Sequence, residues 1–122
     1  MDYFWVFIGG GLGSICRYGI ARLLVQQGFI FPWATFAANA LSCIVLGFLV
    51  SLSLKNAMEQ PYKIMLMTGF CGGFSTFSTF TNETYQLFLG GEHFYALMNV
   101  LGSLFVCLFC IWVGIKLGEA YL

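Results

Sequence analysis

The stretch Gly69-Phe70-Cys71-Gly72-Gly73-Phe74-Ser75-Thr76-Phe77-Ser78-Thr79-Phe80 lies mid-way along a hydrophobic span that runs from Tyr62 to Leu89. Its glycines and hydroxyls are out of place in a plain lipid-facing helix. Glycine weakens helices, and Ser and Thr side chains compete with the backbone ladder. In hydrocarbon, every backbone group released from a helix must find a partner or line a cavity. The stretch therefore reads as a helix broken mid-membrane, the arrangement that builds ion and solute sites. Phe77 and Phe80 are three residues apart, a spacing that lets both rings share one helical face.

The rest of the chain fits a membrane setting. Of 122 residues, 60% are hydrophobic and 8% charged, and the mean hydropathy is +0.87. A soluble domain carries about a quarter charged residues, so the chain reads as an all-α integral membrane protein. Its length allows one domain, residues 1–122. The formal net charge of zero offers nothing to nucleic acid. A spanning helix needs about 20 apolar residues. Four segments qualify: Tyr3–Val25, Pro32–Leu54, Tyr62–Leu89 and Phe94–Tyr121. They are separated by Gln26-Gln27-Gly28, by Lys55 to Pro61, and by Gly90-Gly91-Glu92-His93. Pro32 suits a first helical turn, and His93 is expected in a solvated loop.

Lys and Arg set orientation. Four spans put Lys55, Lys63 and Lys116 on one side, and Arg17 and Arg22 on the other. A chain so evenly balanced can insert both ways, and oppositely inserted copies can pair. Four short helices also cannot both enclose a pore and shield it from lipid, so association is expected. Gly9, Gly10, Gly11, Gly13 and Ser14 offer a small-residue surface for close helix approach. The same run resembles a dinucleotide loop only loosely, because it lacks the strand and the βαβ context.

Three of the four spans carry a polar face. Thr35, Asn39 and Ser42 fall on one side of the second span, and Tyr95, Asn99 and Ser103 on one side of the fourth. Ser75, Thr76, Ser78, Thr79, Glu83 and Thr84 cluster in the third. Single Ser or Thr residues usually serve as interhelical glue. Three such faces in one small bundle point to a polar track of hydrogen-bond donors. Glu83 is the one acid well inside the spans. It reads either as a functional group, the default for an intramembrane acid, or as the partner of Arg17 or Arg22. All five cysteines, Cys16, Cys43, Cys71, Cys107 and Cys110, fall in apolar segments. Cys107 and Cys110 form a CxxC with no second pair and no nearby His, so they read as small hydrophobes.

GGGLGSICRY near the N-terminus, Asn39 with Gly47, and above all GFCGGFSTFSTF resemble the Fluc-type fluoride channels, also called camphor-resistance (CrcB) proteins. The resemblance spans essentially the whole chain. It implies an antiparallel, dual-topology homodimer in the inner (plasma) membrane, a passive fluoride channel and not an enzyme. It also implies a structural Na+ at the central two-fold interface, held by the backbone carbonyls of Gly72 and Ser75. Phe77 and Phe80 match the paired phenylalanines of the fluoride pathway, and Asn39 its asparagine. Ser78, Thr79, Thr81 and Glu83 fall in the polar part of the third helix. Tyr95, Asn99 and Ser103 align with the fourth-helix track, and Arg17 with the first-helix arginine. Ser75 stands where Thr is commoner.

Two rival classes remain on sequence grounds. A small multidrug-resistance type, proton-coupled transporter shares the length and span count, but would want a buried carboxylate in the first span, which here carries Arg17 and Arg22 instead. A non-transporting membrane assembly subunit predicts no ion flux at all.

Overall fold

The computed structural model describes residues 1–25 and 27–121; Gln26 of the first predicted break, and Leu122, lie outside the described residues. The described chain is all-helical. Helix α1 spans Asp2–Val25, α2 Trp33–Leu54 and α6 His93–Tyr121. These three are long and apolar enough to cross a membrane, and the protein is an integral membrane protein.

The third predicted span is composite. It opens with α3 (Gln60–Lys63), continues as a π-helical segment over Ile64–Cys71, passes through α4 (Gly72–Phe74), and ends in α5 (Phe77–Leu89). Pro61 stands in the first turn of α3, where its missing N–H costs nothing. The π-helical segment packs along α1.

Two close helix pairings organise the bundle: α1 against the π-helical segment and α4, and α2 against α6. Both depend on glycine. A Cβ on Gly9 would sit 1.9 Å from the Met65 carbonyl oxygen, and one on Gly13 2.2 Å from that of Phe70. Across the other pair, a Cβ on Gly47 would lie 2.3 Å from the Ile111 oxygen, and one on Gly114 2.1 Å from that of Ile44. In lipid no hydrophobic effect drives helices together, so backbone-to-backbone packing of this kind supplies the cohesion. This corrects one expectation. Gly9 and Gly13 are buried inside the protomer, so they bind α1 to the third span and are not a face for a second copy.

The protomer core is thin: Ala38, Leu49, Cys71, Phe74, Ala96 and Cys110 are its buried apolar residues. Phe7, Leu104, Phe105 and Phe109 are exposed, as lipid- or partner-facing side chains are. Two loops need a left-handed residue and have glycine there, Gly28 at φ +69° and Gly91 at φ +80°. His93 begins α6 instead of lying in the loop, and its ring stands edge-on to Phe88 at 4.8 Å.

Candidate functional site: the helix break and its groove

Helical geometry ends at Phe74 and resumes at Phe77. Between them Ser75 (φ −84°, ψ 159°) and Thr76 (φ −153°, ψ 122°) are extended. The departure is not at Gly72-Gly73, as the glycine pair alone suggests: Gly72 is helical, at φ −64° and ψ −36°. Asn39 on α2 holds the extended residue instead. Its Oδ1 accepts from the Thr76 amide at 2.8 Å, and its Nδ2 donates to the Thr76 carbonyl at 3.2 Å. Thr76 then caps α5, its Oγ1 accepting from the Thr79 amide at 3.2 Å, the usual service of an N-cap threonine.

These bonds have a consequence for the carbonyls around the break. In an unbroken helix the Thr76 amide would serve the Gly72 oxygen and the Thr79 amide the Ser75 oxygen, since each N–H reaches four residues back. Both amides are diverted, one to Asn39 and one to the Thr76 hydroxyl. Two neighbouring carbonyls have other donors. Cys71 accepts from the Ser75 amide at 3.1 Å, the Ser75 hydroxyl at 2.7 Å and the Ser42 hydroxyl at 3.2 Å. Gly73 accepts from Arg17 Nε at 3.2 Å. Gly72 and Ser75 are thus two of the four positions, with Gly73 and Phe74, whose oxygens lose their ladder donors at the break. Gly72 is exposed on the protomer, and a Cβ there would meet nothing within 4 Å. Gly73 is the constrained one: its Cβ would sit 2.4 Å from the Gly10 oxygen.

A groove of about 470 Å³ opens beside the break, lined by Asn39, Ser75, Thr76, Phe77, Phe80 and Ser103 with Cys43, Val100, Leu104 and Cys107. The Phe77 and Phe80 rings lie 5.7 Å apart and tilted by 39°. Phe77 is 78% exposed, an open ring edge and face on the protomer surface.

Other predicted residues go elsewhere. Asn99 is the most deeply buried polar side chain, 1% exposed. It donates to Thr84 Oγ1 at 2.8 Å and accepts from Ser103 at 3.3 Å, and so ties α5 to α6. Thr84 and Thr81 turn their hydroxyls back onto the Phe80 and Phe77 carbonyls, each at 2.8 Å. Ser78 is exposed and reaches only Thr76 Oγ1, at 3.4 Å. Tyr95 joins an aromatic cluster with Phe31 and Phe94, apart from the Asn99–Ser103 chain. Glu83 accepts a hydrogen bond from Thr35. The two line a smaller cavity of about 260 Å³ together with Thr79 and Phe31. The alternative pairing of Glu83 with Arg17 or Arg22 is not formed. Among the described residues the one ion pair is Lys116–Glu119, on the surface.

Sequence reading placed Thr35, Ser42 and Thr84 on polar faces without making them site residues, and treated Cys43 and Cys107 as filler. The four-residue spacing of Thr35 from Asn39, and of Ser103 from Cys107, was the available signal.

Comparison with known proteins adds an independent line. A relative from Azobacteroides pseudotrichonymphae, named Fluoride-specific ion channel FluC, is 45% identical over 106 residues, covering 82% of this chain and 85% of its own. A Thermus thermophilus protein of the same name is 42% identical over 119 residues, covering 97% and 95%. One from Phocaeicola vulgatus, again so named, is 38% identical over 115 residues, covering 93% and 95%. The family model described as CrcB-like protein, Camphor Resistance (CrcB), matches residues 4–115, and the chain belongs to that family.

Proposed function

We propose that the chain forms a passive, fluoride-selective channel in the cell's inner (plasma) membrane, working as an antiparallel dual-topology homodimer. The groove beside the break carries this reading. Amide and hydroxyl groups of Asn39, Thr76 and Ser103 meet two phenyl rings there, and no charged residue lines it. The fluoride-specific names of the relatives support the choice of ion.

Fluoride is small and strongly hydrated, so a pore has to replace its water shell with donors. Uncharged donors do so without trapping the ion, and conduction needs entry and release together. An aromatic ring carries a positive edge, so Phe77 and Phe80 can turn edges toward an anion in a dry constriction. A larger anion such as chloride fits donors spaced for fluoride poorly. The open groove and the exposed Phe77 are what a second copy would close over.

Sodium is the proposed structural ion. The residues suit it: the Gly72 and Ser75 carbonyls have lost their ladder donors, and unwound backbone carbonyls are the ligands that broken membrane helices offer to cations. Carbonyls from two antiparallel copies would share one ion, which offsets the cost of leaving them unbonded in hydrocarbon. The ion's part is structural.

The deciding experiment is anion efflux from proteoliposomes loaded with fluoride or with chloride and given no proton gradient. Fluoride leaves far faster on this reading. Equal rates for the two anions overturn it, and a requirement for a proton gradient points to a coupled transporter instead.

A further inference from the structure

Asn39 and Ser103, polar residues that line the groove from different helices, are each followed four residues later by a cysteine: Cys43 on α2 and Cys107 on α6. The spacing keeps each thiol on the same helical face as that polar residue. Both cysteines line the groove with Phe77 and Phe80, both are free and half-buried, and their helices pack backbone to backbone at Gly47 and Gly114. Two thiols from different, closely packed helices therefore line the same groove. We propose that Cys43 and Cys107 form a two-thiolate site for a soft, d10 cation, and that the bound cation obstructs the groove.

The ligand class follows from the donors. Among the described residues no three metal-ligating side chains come together. Zinc asks for four ligands, or three and a water, so it is poorly served. Thiolates select soft ions, and an ion content with two sulfurs in line, such as cuprous or mercuric ion, is served well. Binding is a proton exchange without redox. Two S–H bonds break, two sulfur–metal bonds form in place of two of the ion's water ligands, and the two protons leave with those waters to bulk solvent. The metal then sits beside Phe77 and Phe80, where an anion has to pass. The effect on flux rests on the channel reading given above; the binding itself does not.

Mercuric nitrate in chloride-free medium is the probe, applied to the full-length protein carrying Cys16→Ser to remove the one exposed thiol. Intact-mass counting of thiols open to N-ethylmaleimide reads the site directly. One mercuric ion per chain should shield Cys43 and Cys107 together. Fluoride efflux should stop in parallel and return with excess dithiothreitol. Cys43→Ser and Cys107→Ser should each raise the blocking concentration by at least about tenfold, the scale on which even indirect changes to a metal site act. Cys43→Ala and Cys107→Ala repeat the test should a serine variant be poorly folded. Shielding of one thiol only, or an unaltered block in the double variant, overturns the proposal. If the untreated protein passes no fluoride, the channel reading fails, while the thiol count still decides the metal site.

Discussion

Asn39 and Phe77 mark two kinds of dependence within one groove. Asn39 bonds both backbone groups of Thr76, so it is a positioning residue before it is anything to an ion. Asn39→Ala leaves a part-buried amide and carbonyl without their partners, a loss of roughly 1–3 kcal/mol for each buried group. Its expected outcome is a lower melting temperature together with lost flux. Phe77 is held by little in the protomer, being 78% exposed. Phe77→Ile and Phe80→Ile keep most of the side-chain volume while removing the ring quadrupole, and should cut fluoride flux at unchanged dimer yield. Wild-type flux in both isoleucine variants would show that the rings only pack.

At the scale of elements, the third span is one chain segment doing two jobs. Its first half, from Gln60 through Phe74, is welded to α1 by glycines, and its second half, α5, leans on α6 through Thr84, Asn99 and Ser103. The break lies between the two attachments. Gly72 and Gly73, adjacent and chemically identical, should therefore respond oppositely to substitution. Gly73→Ala pushes a methyl group into the Gly10 carbonyl, an overpacking that costs about 1–3 kcal/mol. Gly72→Ala meets nothing in the protomer and should leave its folding intact. Thermal unfolding in detergent checks the pair, and equal stability of the two variants contradicts the packing described. A Gly72→Val variant that folds but fails to dimerise would place Gly72 at the contact between copies.

For the whole molecule, the balance of three lysines against two arginines across the predicted sides predicts both orientations in one membrane. Single cysteines placed at either terminus of a cysteine-free variant should label from both faces of the cell membrane; labelling from one face alone refutes dual topology. The proposed central ion gives a second test at this scale. Replacing sodium with N-methylglucamine, too large for a carbonyl cage, should weaken the dimer or abolish flux, and restoring sodium should reverse the loss. A dimer indifferent to the exchange would falsify the structural role given to sodium. One Arg side chain complicates a simple charge count. Arg17 turns inward to the Gly73 carbonyl, so one of the two arginines also serves the break.

Composition and hydropathy alone determined that this is an all-helical membrane chain, and the ends of α1, α2 and α6 fall within a residue of the spans read from sequence, because twenty-residue apolar runs have few other fates. The glycine and hydroxyl content of residues 69–80 was likewise enough to locate an irregular third span, since local propensity there opposes a continuous helix. Which residues break it was decided by tertiary contact: Asn39, thirty-seven positions away in sequence, takes the Thr76 amide and carbonyl, and no local pattern records that bond. The same holds for the glycines, whose permissiveness is visible in sequence but whose neighbours are not. Gly9 and Gly13 meet the π-helical segment within the protomer, and Gly72 faces outward while Gly73 is packed. Polar periodicity placed Asn99, Ser103, Tyr95 and Asn39 on helical faces. It took the packing of α2, α5 and α6 to send Asn99 into the interior, Tyr95 into an aromatic cluster, and Asn39, Ser103, Cys43 and Cys107 into one groove, because which faces meet depends on how closely the glycine-bearing backbones approach.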